Sequence, residues 1–205
     1  GNTIVWKPSE DAPAVAYAFA KLIEEAGVPA GVLNVVFGGG ANAAGAFLVD
    51  MMDEGRLDKF AFTGSTKVGR QIGEIAGRNL LHPTLELGGK NPLIVMRDAD
   101  LDNAVQGAVF SAFGTGGQRC TSAGNIIVDA PIYDEFTKRF LDRVSKIAIG
   151  DPNQHDDVLY GPFINQRFFE NWQSHYQWGE EDGATLLYGH GRITPDTLRP
   201  RSSTT

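Results

Sequence analysis

Two kinds of hydrophobic pattern alternate along the chain, and their order predicts the fold. Short apolar runs bounded by glycine or polar residues predict strands, because buried parallel strands read as continuous hydrophobic segments. The predicted strands are residues 3–7, 32–37, 59–62, 84–87, 93–96 and 125–128. Between the strands, apolar residues recur at intervals of three and four, which is typical of helices. The predicted helices are residues 15–26, 41–52, 66–76, 103–113 and 133–149.

The alternation of strands with helices predicts the fold class. Repeated strand–helix–strand segments are typical of a doubly wound parallel sheet, so we expect an α/β fold. Gly88 and Gly89 follow the fourth strand and predict a hinge, after which a second α/β layer begins. We therefore expect one domain over residues 1–88 and a second over residues 89–198. Residues 199–205 lack periodicity, and we expect a disordered tail there.

Charge and composition exclude several kinds of partner. The formal net charge of −7 leaves no basic surface, so we expect no affinity for nucleic acid. No apolar run approaches the roughly 18–20 residues of a membrane helix, so we expect no membrane association. Cys120 is the only cysteine, which excludes an intrachain disulfide and a cysteine-based zinc site. A single thiol favours a reducing, cytoplasmic location, and we expect no metal site.

Two glycine-containing turns connect strands to helices. The first has the pattern G-x-G-x-x-A at Gly38, Gly40 and Ala43, and the second is Thr63-Gly64-Ser65-Thr66. A helix that begins at such a turn offers unpaired N–H groups to a phosphate. The alternative is ordinary turn geometry, with Ser65 or Thr66 capping the helix that follows. Both interpretations can hold at once.

Lys7 and Glu10 follow the first predicted strand. In a doubly wound sheet, the carboxyl ends of the strands line the ligand crevice. A carboxylate there can accept hydrogen bonds from a ribose diol and would repel a 2′-phosphate. The alternative is a solvated helix start that carries a favourable acidic residue, and the spacing alone leaves both possibilities open.

Glu86 and Cys120 are the candidates for catalysis. Glu86 lies in an otherwise apolar strand, Leu85-Glu86-Leu87, directly before two glycines. Low-dielectric surroundings would suit a general base near neutral pH. Cys120 follows Arg119 in a polar, glycine-rich loop, where a neighbouring cation would favour the reactive thiolate. The alternative for Cys120 is a small structural core residue.

Four motifs in order carry a resemblance to the aldehyde dehydrogenase superfamily. Gly1–Glu10 resembles the family's adenosine-site strand, and Phe62–Gly69 resembles its pyrophosphate turn. Leu85–Lys90 resembles the catalytic-glutamate signature, and Gly117–Cys120 resembles the catalytic-cysteine signature. The spacing of the last two motifs also matches the family. The resemblance extends over residues 1–191, so the first predicted domain resembles part of a Rossmann-like NAD-binding domain and the second part of the catalytic domain.

The resemblance implies oxidation of an aldehyde to a carboxylic acid. The Cys120 thiolate would attack the carbonyl carbon, and its backbone N–H would help to hold the oxyanion. Hydride transfer to the cofactor would leave a thioester on Cys120. Glu86 would activate the water that hydrolyses this thioester, and it is also a candidate to take the proton of Cys120 beforehand.

The resemblance also implies a nicotinamide cofactor. Lys7 and Glu10 would bind the adenosine ribose, the turn at Ser65 would hold the pyrophosphate, and Leu87 and Gly88 would line the nicotinamide side. NAD is expected rather than NADP, because the Glu10 carboxylate would repel a 2′-phosphate. The expected cofactor-binding residues are Lys7, Glu10, Gly40, Thr63, Gly64, Ser65, Val68, Leu87 and Gly88.

The resemblance also implies that the chain is a fragment. It begins without Met on a segment that already reads as a strand. The upstream Asn that supplies a second oxyanion donor in the family is absent, as is the later Glu that holds the nicotinamide ribose. We therefore expect the 205-residue chain alone to be inactive and the full-length protein to be a homo-oligomer. Asn125 stands where the family often has Arg, and residues 37–45 form a longer segment than usual.

Two alternatives to an NAD-linked dehydrogenase of a small aldehyde or semialdehyde stay open. In a CoA-acylating relative, CoA rather than water would cleave the thioester. Such relatives tend to lack an acid at the position of Glu86, which counts against this alternative. The other alternative is a non-catalytic nucleotide-binding or structural fragment.

Overall fold

The computed structural model of the chain describes residues 1–39, 44–154 and 156–189. The chain divides into two compact units, the first formed by Gly1–Leu87 and the second beginning at Gly88. Gly40 and the tail at residues 199–205 lie outside the described residues. Each unit is therefore considered by itself.

The first unit consists of parallel strand pairs with helices between the strands. Strand β1 pairs with β2 and β3 pairs with β4, and both pairs are parallel. The elements are β1 (Ile4–Trp6), α1 (Pro13–Glu25), β2 (Leu33–Val35), α2 (Ala44–Asp53), β3 (Ala61–Gly64), α3 (Thr66–Arg78) and β4 (Thr84–Leu87). This arrangement confirms the predicted α/β class with parallel strands.

In its described residues, the second unit contains one parallel strand pair and three α-helices. Its elements are β5 (Asn91–Val95), α4 (Leu101–Phe113), β6 (Ala123–Val128), α5 (Tyr133–Val144) and α6 (Gln166–Glu181). Strand β5 pairs with β6, and a short 3₁₀ helix, Gly114–Gly117, follows α4. The predicted end of α5 at residue 149 is wrong, because the backbone tightens into a turn in which the Ile147 N–H donates to the Val144 carbonyl.

Helix α6 has no counterpart among the predicted elements. None of its residues is buried, although Phe169, Trp172 and Tyr176 recur at helical spacing. The Asn165 side chain caps its first turn by accepting the Phe168 N–H at 3.2 Å. The rings of Phe169, Trp172 and Tyr176 stack along its surface, with centroid separations of 5.8 and 6.2 Å. Capping and ring stacking therefore accompany this helix in place of burial.

The core of the first unit lies between α2, α3 and the β3–β4 pair. Met52, Ile72 and Ala76 are fully buried there, and Leu85 of β4 packs against them. Helix α3 approaches β4 closely at Gly69, where an added Cβ would lie 2.6 Å from the Leu87 side chain. The lack of a side chain at Gly69 thus sets how near β4 lies to the helix.

The apolar face of α1 is largely exposed in the structure. Val15, Phe19, Leu22, Ile23 and Ala26 recur at helical spacing and form one apolar face of the helix. In the structure, the buried residue of α1 is Ala16, whereas Val15, Phe19 and Leu22 are 73%, 54% and 61% exposed. The helix carries apolar residues on more than one side, so periodicity alone does not choose the side that packs.

The core of the second unit lies between α4, α5 and one face of the β5–β6 pair. Its fully buried residues are Val95, Val105, Ala108, Val109 and Phe136. The predicted apolar face of α5 is confirmed, because Phe136, Phe140, Val144 and Ile147 all pack into this cluster. The rings of Phe136 and Phe140 stack at 5.7 Å. None of the helices in the described part of the chain has the length and hydropathy that a membrane span requires.

An ion pair ties together the segments that follow β5 and β6. Arg97 Nε donates to Asp129 Oδ2 at 2.7 Å, and Arg97 Nη2 donates to Asp129 Oδ1 at 3.3 Å. The hydrogen bond from Arg97, aided by its charge, lowers the pKa of Asp129. A carboxyl with a lowered pKa stabilises the fold above its unfolded pKa, and this stability is lost as the pH falls through the folded pKa.

Asp129→Asn should therefore lower the melting temperature at pH 7 more than at pH 3. Below the ordinary carboxyl pKa of about 3.9, the stability that the lowered pKa of Asp129 provides is progressively lost, so the two proteins converge. Thermal unfolding followed by circular dichroism at both pH values measures the difference. Asp142→Asn is the matched control, because it removes an exposed ion pair between the last turn of α5 and Lys146 just after it. An Asp129→Asn deficit that is equal at both pH values would contradict the prediction.

Candidate active site

Lys7 and Glu10 form a pair in the loop after β1. The Lys7 ammonium donates to the Glu10 carboxylate at 3.2 Å. The Glu10 side chain is 42% exposed, so solvent and ligands can reach it. The backbone of Gly39 lies against Glu10, and that of Gly45, in the first turn of α2, lies against Lys7. The structure thus brings these two predicted residues together at the carboxyl end of the β1–β2 pair.

The turn between β3 and α3 lies beside the end of β4. In the parallel register, Thr63 pairs with Glu86 and Gly64 pairs with Leu87. Four of the candidate residues therefore lie at the carboxyl edge of one strand pair. This edge is where doubly wound folds bind ligands.

Ser65 caps α3. Its hydroxyl oxygen accepts the Val68 N–H at 3.3 Å, as expected from the capping interpretation of this turn. A hydroxyl can donate while it accepts, so Ser65 retains a donor for another group. The N–H groups of Thr66 and Lys67 lie in the first turn and have no partner within the helix. Capping by Ser65 therefore leaves donors in the turn that could bind an anion.

The expectation of apolar surroundings for Glu86 is wrong. Side chains alternate between the two faces of a strand. Leu85 packs on the Met52–Ile72 core and Leu87 lies against Gly69, so Glu86 points to the opposite face. Glu86 is exposed in the described residues, which provide no low-dielectric pocket around it.

Cys120 lies in a closed turn of the second unit. The Ser122 N–H donates to the Arg119 carbonyl at 3.0 Å, and the Arg119 N–H donates to Ser122 Oγ at 3.1 Å. Ser122 is buried, whereas Cys120 at the middle of the turn is exposed. Within the part of the chain that the structure describes, the Cys120 N–H meets no hydrogen-bond acceptor. The turn therefore exposes Cys120 and leaves its N–H without an acceptor among the described residues.

The Arg119 side chain anchors the turn to α4. Its Nη2 donates to the Phe110 carbonyl at 3.1 Å, and its guanidinium lies 4.7 Å from the centre of the Phe110 ring. Such a cation–π contact adds to the hydrogen bond. Arg119 precedes Cys120 in the sequence, which suggested that its charge favours the thiolate. In the structure, the Arg119 side chain instead contacts Phe110 and holds the loop.

Asn91 and Asn125 are two further contacts around the turn. Asn91 Nδ2 donates to the Cys120 carbonyl at 2.7 Å and to the Ser122 carbonyl at 2.9 Å. Asn125, at the position where an Arg is common in the family, donates to the Lys90 carbonyl at 3.3 Å. Sequence reasoning did not single out Asn91, because no local pattern links it to a cysteine 29 residues away.

The two units divide the candidate residues. Glu86, Leu87 and the earlier cofactor candidates belong to the first unit, whereas Gly88 and Cys120 belong to the second. Gly88 is exposed and precedes β5. Over residues 1–39, 44–154 and 156–189, no three His, Cys, Asp or Glu side chains come together in a way that could hold a metal ion.

Curated relatives of the chain are aldehyde dehydrogenases. An aldehyde dehydrogenase of Alternaria alternata is 46% identical over 193 residues, which cover 94% of this chain and 38% of that protein. The 2-hydroxymuconic semialdehyde dehydrogenase of Pseudomonas putida is 41% identical over 191 residues, with coverages of 93% and 38%. The chain thus spans about two fifths of the length of these relatives.

Solved structures of the same kind superpose on the chain. The NAD-dependent aldehyde dehydrogenase from Sinorhizobium meliloti has a TM-score of 0.86 at 41% identity, covering 94% of this chain and 37% of its own. An NADP-dependent enzyme from E. coli has a TM-score of 0.83 at 40% identity, with coverages of 91% and 38%. The model of the aldehyde dehydrogenase family matches residues 1–200. With its parallel α/β units and its exposed cysteine turn, the chain belongs to the aldehyde dehydrogenase family.

Proposed function

We propose that this segment carries the nucleophile and part of the cofactor site of an enzyme that oxidises an aldehyde to a carboxylic acid with NAD. The Cys120 turn is the observation that carries the proposal. It presents an exposed thiol and an unaccepted backbone N–H on one hydrogen-bonded turn. Nucleophile and oxyanion donor are the two groups that acyl transfer through a thioester needs.

In the proposed reaction, the Cys120 sulfur forms a bond to the aldehyde carbon as a thiolate. The carbonyl π electrons move to oxygen, and the Cys120 N–H stabilises the charge that develops there. NAD, when bound, accepts the hydride from the same carbon. The resulting thioester on Cys120 is cleaved by water, whose proton Glu86 accepts, and the thiolate leaves. The exposure of Glu86 in the described residues is consistent with access of water to it.

The first unit fits a dinucleotide at two points. The Glu10 carboxylate, next to the Lys7 ammonium, can accept hydrogen bonds from a ribose diol. The start of α3 offers the Ser65 hydroxyl and two first-turn N–H groups to a pyrophosphate. Thr63, Gly64 and Val68 shape this turn, and Leu87 follows beside it. These contacts support the assignment of the cofactor-binding residues.

We expect NAD to be preferred over NADP. The 2′-phosphate of NADP carries about −1.5 to −2 charges, and the Glu10 carboxylate would repel it. Related solved structures include one described as NAD-dependent and one as NADP-dependent, so the family alone does not decide. Glu10→Gln should reduce the NAD/NADP ratio of kcat/KM by about tenfold, since it removes the repulsion between like charges.

Both cofactors should be compared in a full-length protein that carries this segment. Asp11→Asn removes the neighbouring acid and serves as the matched control, with no expected change in the ratio. A wild-type preference for NADP would overturn the assignment of Glu10. An unchanged ratio in Glu10→Gln would do the same.

The absorbance of reduced nicotinamide, recorded with a panel of aldehydes and semialdehydes, tests the proposed reaction. Turnover that requires CoA would indicate the acylating alternative, and cofactor binding without turnover would indicate a non-catalytic module. The semialdehyde arm is motivated by the similarity to the Pseudomonas putida protein. The same assay on the 205-residue chain by itself should give no turnover, because it spans only 38% of such relatives.

The remaining assignments are proposals for the full-length protein. The first unit would be part of the cofactor domain, over residues 1–88, and the second part of the catalytic domain, over residues 89–198. The whole protein would be a cytoplasmic homo-oligomer. Sedimentation of the full-length protein measures its oligomeric state.

A further inference from the structure

One side chain holds both carbonyl groups of the nucleophile turn. Asn91, the first residue of β5, donates through Nδ2 to the Cys120 carbonyl at 2.7 Å and to the Ser122 carbonyl at 2.9 Å. A side-chain amide has two N–H donors, so it can satisfy both carbonyls at once. Asn91 is itself half-buried, which restricts its conformations. The amide therefore acts as a clamp on the turn.

An irregularity in the β5–β6 pair accompanies the clamp. Asn91 pairs with Ala123, but the next residue of β5, Pro92, pairs with Asn125, so Gly124 is an extra residue in β6. Such a β-bulge bends the strand and redirects side chains near it. A Cβ on Gly124 would lie 2.8 Å from the Lys90 Cα, so only glycine fits in the bulge without a shift. The bulge occurs at the register position of Asn91.

We propose that Asn91 is a positioning residue for the Cys120 nucleophile. It fixes the peptide that follows Cys120, while the Ser122-to-Arg119 hydrogen bond fixes the peptide that precedes it. Held on both sides, the Cys120 thiol and N–H keep one orientation toward a substrate. Any effect of Asn91 on catalysis rests on the proposed function. The hydrogen bonds by which Asn91 holds the turn do not depend on it.

The competing explanation is that Asn91 only stabilises the strands. Asn34 provides a matched comparison, because its Nδ2 also donates to two backbone carbonyls, those of Ile4 at 3.3 Å and Gly31 at 2.9 Å. Asn34 lies in β2 of the first unit and is not among the candidate site residues. Asn34→Ala therefore removes the same kind of interaction without touching the nucleophile turn.

The first experiment measures amide exchange in the 205-residue chain. In Asn91→Ala, the peptide that contains Cys120 and Ser122 should exchange at least about tenfold faster, as expected when local opening becomes easier. Asn34→Ala should leave exchange in this peptide unchanged. Equal exchange in the wild type and Asn91→Ala would overturn the proposal, and this arm needs no enzymatic activity.

The second experiment measures kinetics in a full-length protein that carries this segment. Asn91→Ala should lower the rate of the first hydride transfer by about 10- to 100-fold, since misplacement of a reacting group costs up to about 10²-fold. The KM for NAD should stay within about twofold, because the turn carries no cofactor candidate. Asn91→Ser keeps one hydroxyl donor and should recover part of the rate, whereas Asn34→Ala should retain the wild-type rate.

The amide-exchange experiment and the kinetic experiment together distinguish the positioning role of Asn91 from the proposed function. A wild type that reduces no NAD with any aldehyde contradicts the proposed function, and the exchange arm still decides whether Asn91 holds the turn. A wild type that turns over while Asn91→Ala keeps the same hydride-transfer rate contradicts the positioning role alone. A loss of rate shared by Asn34→Ala and Asn91→Ala would also contradict it, since it would reflect general destabilisation.

Discussion

Cys120→Ser, in a full-length protein that carries this segment, should reduce aldehyde oxidation by at least about 10⁴-fold, the scale of loss when a covalent nucleophile is removed. A serine hydroxyl stays protonated near neutral pH and has no adjacent base in its turn. The substitution leaves the turn intact, because the hydrogen bonds between Arg119 and Ser122 do not involve the thiol. The rate of NAD reduction with a saturating aldehyde measures the loss.

Two controls separate chemistry from folding in this variant. Iodoacetamide should label the wild-type protein at Cys120, which is exposed and the only cysteine in the segment. Cofactor binding by Cys120→Ser should match the wild type, since the cofactor candidates lie elsewhere in the chain. Retained oxidation in Cys120→Ser would remove Cys120 as the nucleophile.

Glu86→Gln should slow steady-state turnover by about 10²- to 10⁴-fold, the range for the loss of a general base. The amide occupies nearly the same volume but cannot take a proton from water. A rapid first turnover of NAD reduction should persist, because forming the thioester needs no water. Stopped-flow absorbance resolves this burst from the slow phase that follows.

Glu74→Gln is the matched control for Glu86. Glu74 is an exposed acid of α3 in the same unit, 4.0 Å from Arg78, and it is not a candidate site residue. Its replacement should leave both the burst and the steady-state rate close to the wild type. A wild-type steady-state rate in Glu86→Gln would assign water activation to another group.

The sequence predicted most elements because their patterns are local. Apolar runs identified the six strands of the described residues to within a few positions, and β4 at Thr84–Leu87 matches its prediction. Helix α6 was missed although local signals for it were present, because Asn165 caps it and Phe169, Trp172 and Tyr176 recur at helical spacing. The side of α1 that packs does not follow from the sequence, because Ala16 and Val15 are both apolar and only the tertiary fold selects between them.

For the candidate site, too, the sequence predicted features that neighbouring residues determine and missed features that depend on tertiary contacts. Motif residues such as Ser65 and Cys120 could be named from the sequence, and the capping of α3 follows from neighbouring residues. The exposure of Glu86 depends on which face of β4 meets α3, and this is a tertiary property. The contact of Asn91 with the cysteine turn depends on the pairing of β5 with β6, which no local motif encodes.

Among the residues that the structure describes, the hydrogen bonds that close the cysteine turn come from the second unit. Asn91, Phe110, Arg119 and Ser122 supply them, and none of these residues belongs to the first unit. The contacts that hold the Cys120 turn and the proposed nucleotide contacts at Lys7 and Glu10 therefore draw on different residues. Under the proposed function, selection on cofactor preference and selection on the nucleophile loop would act on separate sets of residues.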